Sequence, residues 1–174
     1  MTRIDLAKIA YKEGTKCFHG NVMGLESNLD PIIELFPKWS KENWDNKWCA
    51  AFVYYCIIQA GVELPVRHPN EKITCNFAGC LAWEQWATLP ENQYYIEIEN
   101  NIISTEAGDI ILYDNVFCDS SHDHIGIVIQ DQNDEVVVAE GNIGNISGIV
   151  RRKKDKHIRG LIRLPDKLFN KVTY

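Results

Sequence analysis

The sequence predicts an α+β domain in which the helices come first and an antiparallel sheet follows. Residues 48–60, WCAAFVYYCIIQA, contain no charged residue, which is typical of a helix buried on every side. From residue 107 onward, short apolar runs alternate with turn residues, which is the pattern of consecutive strands. Because the helices precede the strands, we expect the sheet to be antiparallel and to pack on the buried helix.

Two helices are predicted before the central one. Apolar residues at helical spacing indicate a first helix over residues 4–13, which Gly14 would end. The segment LDPIIELFPKW indicates a second, short helix that begins near Pro31, with Asp30 as its N-cap and Pro37 as its stop.

The central helix is predicted to span residues 47–60. Asp45 or Asn46 is available to cap its start, and Gly61 suits the position after its last turn. A further short helix is predicted over residues 76–87, NFAGCLAWEQWA. The predicted strands are 108–113, 124–130, 135–141, 147–153 and 157–164.

Length, charge and hydropathy restrict the class of protein. The chain has 174 residues and a net charge of −6, which allows one well-buried core and argues against a nucleic-acid partner. No apolar run approaches the length of a membrane span, and the first residues, MTRIDLAKIAYKEG, are too charged for a signal peptide. We therefore expect neither a nucleic-acid nor a membrane partner, and no export signal in this chain.

The charge is unevenly distributed. Residues 151–163, RRKKDKHIRGLIR, contain seven Lys or Arg and one Asp. Their simpler interpretation, which we favour, is a solvated pair of strands near the C-terminus. The functional interpretation is a contact for an anionic substrate.

Cys49 lies where the polar run WDNK meets an apolar one, and two interpretations fit this position. As one of six cysteines without regular spacing, it fits a small buried core residue. If Asp45 or Asn46 is the N-cap, however, Cys49 lies in the first helical turn, where free N–H groups and the helix dipole favour a thiolate. A nucleophilic thiolate also needs a base and a group that orients the base.

His124 is the candidate base, because it begins a predicted strand and the next strand ends in Glu140-Gly141-Asn142. If the hairpin turns around Gln132 through a three- or five-residue loop, His124 lies opposite Glu140, and Asn142 has the same parity. A two-residue turn would separate His124 from Glu140. A carboxylate beside the imidazole fixes its tautomer and leaves the other ring nitrogen for the thiol.

A zinc site is the second kind of site that the sequence offers. Cys118, His122 and His124 have a legitimate ligand spacing, and Cys75 or Cys80 would have to supply a fourth ligand from a distant loop. His122 is also a reserve base, because it has the same strand parity as His124. The segment NWDNK supplies a single carboxylate, which is too little to predict a calcium site.

Four motifs occur together in this chain, in the order WCAAFV, GDIILY, HIGIVI and EGN. They closely resemble the CHAP domain family, the cysteine- and histidine-dependent amidohydrolases and peptidases, from about Trp44 to Pro165. The resemblance implies a papain-like fold, with the N-terminal helices and the central buried helix packed on the C-terminal antiparallel sheet.

The resemblance also implies roles for individual residues. Cys49 corresponds to the nucleophile, His124 to the base and Glu140 to the residue that orients the base. Asn142 matches a further polar position of the family's active site. No metal or organic cofactor is implied.

The function implied by the resemblance is hydrolysis of an amide bond in bacterial peptidoglycan, by an N-acetylmuramoyl-L-alanine amidase or an endopeptidase. We expect residues 1–174 to form a single catalytic domain, with an N-terminal helical part at 1–43 and the core at 44–165. We expect synthesis in a bacterial or phage-infected cytoplasm and delivery to the wall by another route. Two alternatives remain open, namely a papain-like thiol amidase with a non-wall substrate and a non-catalytic, zinc-stabilised binding module.

Overall fold

The computed structural model describes residues 1–22, 24–40, 47–98 and 103–169. Within these ranges the helices are α1 (Arg3–Gly14), α2 (Asp30–Ile33), α3 (Cys49–Gln59) and α4 (Cys80–Ala87). The strands are β1 (Tyr95–Glu97), β2 (Ile110–Tyr113), β3 (His124–Gln132), β4 (Glu135–Ile143), β5 (Ile146–Lys153) and β6 (Ile158–Ile162), and a 3₁₀ turn (Asp166–Leu168) follows.

The six strands form one antiparallel sheet in the order β1-β6-β2-β3-β4-β5. Helix α3 packs against β3 and β4 on one face of the sheet, and the larger apolar core lies between them. The opposite face carries a smaller apolar cluster that includes Ile111, Val138 and Leu161. The predicted α+β class with an antiparallel sheet is therefore confirmed.

Helix α3 is buried along nearly its whole length, as its uninterrupted apolar sequence predicts. Every residue from Cys49 to Ile57 is buried. Its close contact with the sheet depends on Gly141, because a Cβ there would lie 2.5 Å from Cβ of Phe52 and 2.8 Å from Cζ3 of Trp48. The missing side chain thus allows the helix to lie directly on β4.

The end of α3 was predicted correctly and its start was not. Gly61 has a φ of 74°, and its N–H donates to the carbonyl of Ile58 at 2.9 Å, as in a Schellman motif. At the start, Trp48 is the N-cap and makes no side-chain capping hydrogen bond. Asp45 and Asn46, the predicted caps, lie outside the described residues. Cys49 is consequently the first residue of the helix.

Glycine 14 has a different role from the predicted one. Helix α1 runs through Gly14, with Thr15 as its C-cap, so Gly14 does not end the helix. A Cβ at Gly14 would lie 2.9 Å from Cδ1 of Ile149, so the residue is small because the helix approaches β5 there. The start of α1 carries a capping box between Thr2 and Asp5.

Helices α2 and α4 are shorter than predicted. Leu29 is the N-cap of α2, so that Asp30 lies in the first turn and does not cap it. Helix α4 begins at Cys80, four residues after the predicted start at 76. The residues before it form a turn in which the Gly79 N–H donates to the Asn76 carbonyl at 3.0 Å.

All five predicted strands are present, with ends that differ by at most two residues. Strand β1 was not predicted, because three residues are too few to show an alternating pattern. Among the described residues, no helix combines the length and the hydropathy that crossing a bilayer requires.

The start of α3 is tied to the turn that joins β4 to β5. Nε1 of Trp48 donates to Oδ1 of Asn145 at 3.0 Å. Gly144 and Asn145 both have positive φ, as a two-residue type I′ hairpin requires. The Gly20 N–H donates to the Asn145 carbonyl at 3.1 Å, so the segment after α1 covers this end of the sheet.

Candidate active site

A cleft of about 450 Å³ opens at the N-terminal end of α3. Cys49 is buried, with 7% of the residue exposed, and it lines this cleft. As the first residue of α3, it lies among free backbone N–H groups and at the positive end of the helix dipole. The cleft is lined by residues that include Lys47, Cys80, Phe117, Asp123, His124 and Asn142.

His124 is the first residue of β3 and is only 1% exposed, although it lines the same cleft. Its ring is stacked on Tyr113 with centroids 6.0 Å apart, and Phe117 contacts it edge-on at 4.7 Å. Its Nε2 lies 2.8 Å from Oε2 of Glu140. Because a carboxylate accepts a hydrogen bond, Nε2 carries the proton, and Nδ1 is left to face the thiol.

His124 and Glu140 are diagonal neighbours across the β3–β4 pair and are not directly opposed. Glu140 lies opposite Gly126, two residues beyond His124 on the same face. The Glu140 side chain reaches back along this diagonal. A Cβ at Gly126 would lie 2.8 Å from Cγ of Glu140, so the glycine leaves room for this reach.

The hairpin that brings them together differs from the predicted one. Gln132 pairs with Glu135 across a two-residue turn, so the predicted three- or five-residue loop is wrong. Such a turn by itself would place the side chains of His124 and Glu140 on opposite faces of the sheet. A β-bulge between Val128 and Gln130 inserts one residue into β3 and restores the shared face.

Glu140 is fully buried and is held by Arg152 from β5. Arg152 donates from Nε to Oε1 at 2.9 Å and from Nη2 to Oε2 at 2.6 Å, which is a two-pronged ion pair. Burial would by itself raise the pKa of the Glu140 carboxyl, but hydrogen bonds from Arg152 and His124, together with their charges, lower it. Glu140 is therefore ionised beside the imidazole.

Cys80, the first residue of α4, is the neighbour of the Cys49 sulfur. The two Sγ atoms are 3.8 Å apart, and both residues are buried at the wall of the cleft. Hydrogen bonding to Cys49 and burial raise the pKa of the Cys80 thiol well above its usual range. The distance allows either sulfur to donate, and we assign Cys80 as the donor because His124 stabilises a thiolate at Cys49 and not at Cys80.

The environment of Cys49 and His124 favours a thiolate–imidazolium pair. The hydrogen bond from Cys80 is the largest cause that lowers the pKa of Cys49, burial opposes it, and interaction with His124 contributes further, giving a pKa of about 5. Burial disfavours the charged ring, but hydrogen bonds and charges from Cys49 and Glu140 outweigh it and raise the pKa of His124 to about 9.

Asn142 lines the cleft, but it does not continue the regular face of β4. The pairing of β4 with β5 shifts between Glu140 and Ile143, and Asn142 has a φ of 62° there. The position of the Asn142 side chain therefore does not follow from the even spacing along the strand that was expected to put it on the same face as His124. Within the described residues, its side chain makes no hydrogen bond and remains available to a molecule in the cleft.

The loop after β2 covers one side of the imidazole. Oδ2 of Asp123 accepts from the backbone N–H groups of Val116, Phe117 and Cys118 at 2.9, 2.7 and 3.2 Å. This carboxylate fixes Phe117 against the His124 ring, and about half of the Phe117 surface stays exposed at the cleft.

The residues considered for zinc do not converge. In the part of the chain that the structure describes, no three His, Cys, Asp or Glu side chains are arranged to hold a metal ion. Nε2 of His122 lies 3.0 Å from Glu84 of α4, and the Cys118 sulfur lies 4.0 Å from Asp123. His122 lines the cleft, but its partner differs from that of His124.

Most cations of the basic segment 151–163 pair with carboxylates of this chain. Arg152 binds Glu140, and four others form ion pairs with side chains outside the segment. These pairs favour a structural role for the segment over a contact for an anionic substrate. The four further pairs are Arg151 with Glu135, Lys154 with Asp131, Arg159 with Glu84, and Arg163 with Asp109.

Two residues of this site, Arg152 and Cys80, were missed as site residues from the sequence. The sequence predicts Arg152 only as one of several solvated cations, and Cys80 only as a buried hydrophobe or a zinc ligand. Strand parity does not show that Arg152 shares a face with Glu140. The two-residue turn at Gly144 and Asn145 would by itself place these two side chains on opposite faces of the sheet. The irregularity between Glu140 and Ile143 reverses this and places them on the same face. Cys80 comes from a helix outside the sheet, so no sequence spacing signals it.

A thiol at a helix N-terminus, an imidazole and a buried carboxylate in one cleft are the arrangement that defines cysteine hydrolases as a class. The sequence model of the CHAP domain matches residues 41–142, which is more than half of the chain. The chain therefore belongs to the CHAP domain family, whose members are generally amidases or peptidases and commonly act on peptidoglycan. Neither a curated protein nor a solved structure matches the chain.

Proposed function

We propose that this protein is a cysteine-dependent hydrolase with a papain-like fold that cleaves an amide bond in bacterial peptidoglycan. The bond is either the N-acetylmuramoyl-L-alanine amide or a peptide bond of the stem or cross-bridge. The observation that carries the proposal is the meeting of Cys49, His124 and Glu140 at one cleft, with Nε2 of His124 2.8 Å from the Glu140 carboxylate.

In the first step, the Cys49 thiolate attacks the carbonyl carbon of the scissile amide. The proton of the thiol already resides on His124, because the pKa of Cys49 is lowered and that of His124 is raised. Glu140 holds the ring through Nε2, which leaves Nδ1–H as the group that serves the sulfur and the substrate.

The tetrahedral intermediate carries a negative oxygen, which the backbone N–H of Cys49 and one further donor stabilise. This N–H is free because Cys49 begins α3. The His124 imidazolium then donates its proton to the leaving amine, and a thioester to Cys49 remains. Water, activated by neutral His124, attacks the thioester and releases the acid.

Asn142 and Phe117 are the residues that we place against the substrate beside the reacting groups. Both residues line the cleft. The Asn142 amide has no hydrogen-bond partner among the described residues, and the Phe117 ring is about half exposed. A muropeptide presents amide groups and an apolar alanine methyl, which match these two surfaces. Peptidoglycan is also the usual substrate of CHAP domains.

Mass spectrometry of digested peptidoglycan tests the proposal most directly. Purified sacculi are incubated with the wild-type chain, and the masses of the released fragments identify which amide bond is hydrolysed. Cys49→Ala is expected to release no fragments and His124→Ala almost none, with unfolding midpoints close to that of the wild type. Cys118→Ser, which alters another cysteine at the cleft, is expected to release the same fragments as the wild type.

Fragment release by a folded Cys49→Ala variant would refute the cysteine mechanism. If intact sacculi and isolated muropeptides both stay uncut by the wild type, the wall substrate is wrong. The same enzyme is then assayed on small peptide conjugates, which separates a thiol amidase with another substrate from a protein without hydrolytic activity.

A further inference from the structure

Two cysteines face each other at the wall of the cleft. Cys49 and Cys80 are the first residues of α3 and α4, and their sulfur atoms are 3.8 Å apart. Both thiols are free, and both residues line the cleft that a substrate would enter. Catalysis as described above uses one of these sulfurs as the nucleophile, and the second contributes only a hydrogen bond to it.

We propose that Cys49 and Cys80 form a reversible disulfide that switches the nucleophile off. The oxidant is a small disulfide of the glutathione class, and a small dithiol reverses the reaction. The formation of the bond follows from the arrangement of the two sulfurs alone. Only its consequence, the loss of hydrolysis, rests on the proposed function.

The reaction is two successive thiol–disulfide exchanges. The Cys49 thiolate attacks one sulfur of the small disulfide, which forms a mixed disulfide at Cys49 and expels one small thiolate. The Cys80 sulfur then loses its proton and attacks Sγ of Cys49, which expels the second small thiolate. Two protein thiols are oxidised by two electrons and one small disulfide is reduced to two thiols, so the reaction balances.

The arrangement assigns different roles to the two sulfurs. Cys49 is the attacking sulfur, because Cys80 and His124 stabilise its thiolate. Cys80 stays protonated largely because it donates to that negative charge. Once Cys49 is in a mixed disulfide the charge is gone, so Cys80 loses its proton more readily and becomes the resolving sulfur.

Cys80 is better placed than Cys118 for the resolving step. The Cys118 thiol is exposed and lies 4.0 Å from Oδ2 of Asp123, so it is directed at the carboxylate that organises its own loop. The Cys80 sulfur is already in contact with Sγ of Cys49. Closing the bond shortens their separation from 3.8 Å to about 2.05 Å, a change of less than 2 Å.

The experiment exposes the reduced full chain to an excess of glutathione disulfide near neutral pH and measures intact mass without a reductant. Any glutathione attached to the product is expected on the exposed thiols of Cys17 and Cys118, and none on Cys49 or Cys80. After the mass of that glutathione is subtracted, the product is expected to be about 2 Da lighter than the reduced chain, the mass of two hydrogen atoms. Non-reducing proteolysis is expected to yield one linked pair of peptides, containing Cys49 and Cys80. Dithiothreitol is expected to restore both the original mass and the free thiols.

Three variants distinguish this bond from other oxidations. Cys80→Ser is expected to stop at the mixed disulfide and to keep one glutathione on Cys49. Cys49→Ala, which lacks the attacking sulfur, is expected to leave Cys80 unmodified. Cys118→Ser is expected to form the same bond as the wild type. A persistent mixed disulfide at Cys49 of the wild type, a bond from Cys49 to Cys118, or no reaction at Cys49 would each overturn the proposal.

The mass measurement and the hydrolysis assay separate this proposal from the proposed function. If the linked peptides form but peptidoglycan is not cut even by the reduced chain, the disulfide stands and the proposed substrate fails. If the reduced chain cuts peptidoglycan and no 49–80 bond forms, the disulfide alone is refuted.

Discussion

Gly126 lies directly opposite Glu140 in the β3–β4 pair, and its missing side chain is the space through which Glu140 reaches His124. The second flanking glycine, Gly148 on β5, lies opposite Glu140 from the other side. The two glycines differ in what a Cβ would meet. At Gly126 it would approach Cγ of Glu140 at 2.8 Å, whereas at Gly148 its nearest neighbour would be Ile143 Cδ1 at 3.7 Å.

Gly126→Ala is expected to displace the Glu140 carboxylate and to lower peptidoglycan hydrolysis by tenfold or more. The new methyl group would also approach Cγ1 of Val138 at 2.5 Å, so we expect a loss of about 1–3 kcal/mol in the free energy of unfolding, as for an overpacked core. Urea denaturation and fragment release measure the two effects.

Gly148→Ala is the matched control for this variant. Its methyl group finds space, so the free energy of unfolding is expected to stay the same or to rise by up to about 1 kcal/mol, with unchanged hydrolysis. Equal losses in both variants would show that the space at Gly126 has no special role.

Arg152→Met is expected to cost about 3–5 kcal/mol of stability, because it leaves a fully buried carboxylate without its cation. The neighbouring Arg151 has a side chain that is 63% exposed and a 3.6 Å ion pair with Glu135. Arg151→Met is therefore expected to cost less than about 1 kcal/mol. Urea denaturation near neutral pH compares the two variants.

The pH dependence of the Arg152→Met deficit gives a second measurement. The folded-state pKa of Glu140 is lowered, so its ion pair contributes stability above the carboxyl's ordinary value of 4.5 and loses it as pH falls through the folded-state value. The difference in unfolding free energy between wild type and Arg152→Met should therefore shrink in acid. A difference that stays constant would indicate that only packing was lost.

Activity should be constant over a middle range of pH and should fall on both sides of it, giving an acid limb and an alkaline limb. Below about 5 the Cys49 sulfur is protonated and no longer attacks, and above about 9 His124 has lost the proton that the leaving amine needs. The pH profile of kcat/KM measures both limbs. The rate of Cys49 alkylation by iodoacetamide measures the acid limb independently of substrate.

Cys80→Ala should move the acid limb to higher pH, because the hydrogen bond from Cys80 is the largest cause that lowers the pKa of Cys49. The alkaline limb, which reports His124, should change less. An unaltered acid limb in a folded Cys80→Ala variant would mean that Cys80 does not stabilise the thiolate.

Glu140→Gln is expected to reduce kcat less than the loss of His124, because an amide oxygen still accepts a hydrogen bond from Nε2. The reduction should be smaller than the about 10²–10⁴-fold that general acid–base catalysis contributes. The alkaline limb should move below 9, because the negative charge that raises the pKa of His124 is removed. A limb that stays in place would mean that the charge of Glu140 does not raise the pKa of His124.

The sequence by itself determined the elements of this fold. The uncharged run of α3 predicted a buried helix because no face of it could meet water favourably, and Gly61 predicted its end because that position requires a positive φ. Alternating apolar runs predicted five strands of the sheet. These signals are local, since each depends on residues within one turn or one strand.

The tertiary structure alone decided which side chains meet in the cleft. The shared face of His124 and Glu140 was predicted from strand parity, but through a loop that the structure does not contain, and a bulge after Val128 restored the parity. Arg152 and Cys80 reach the site from separate elements. A bulge adds only one residue to a strand, but it moves every side chain beyond it to the opposite face of the sheet. Only the packed sheet therefore fixes which residues share a face.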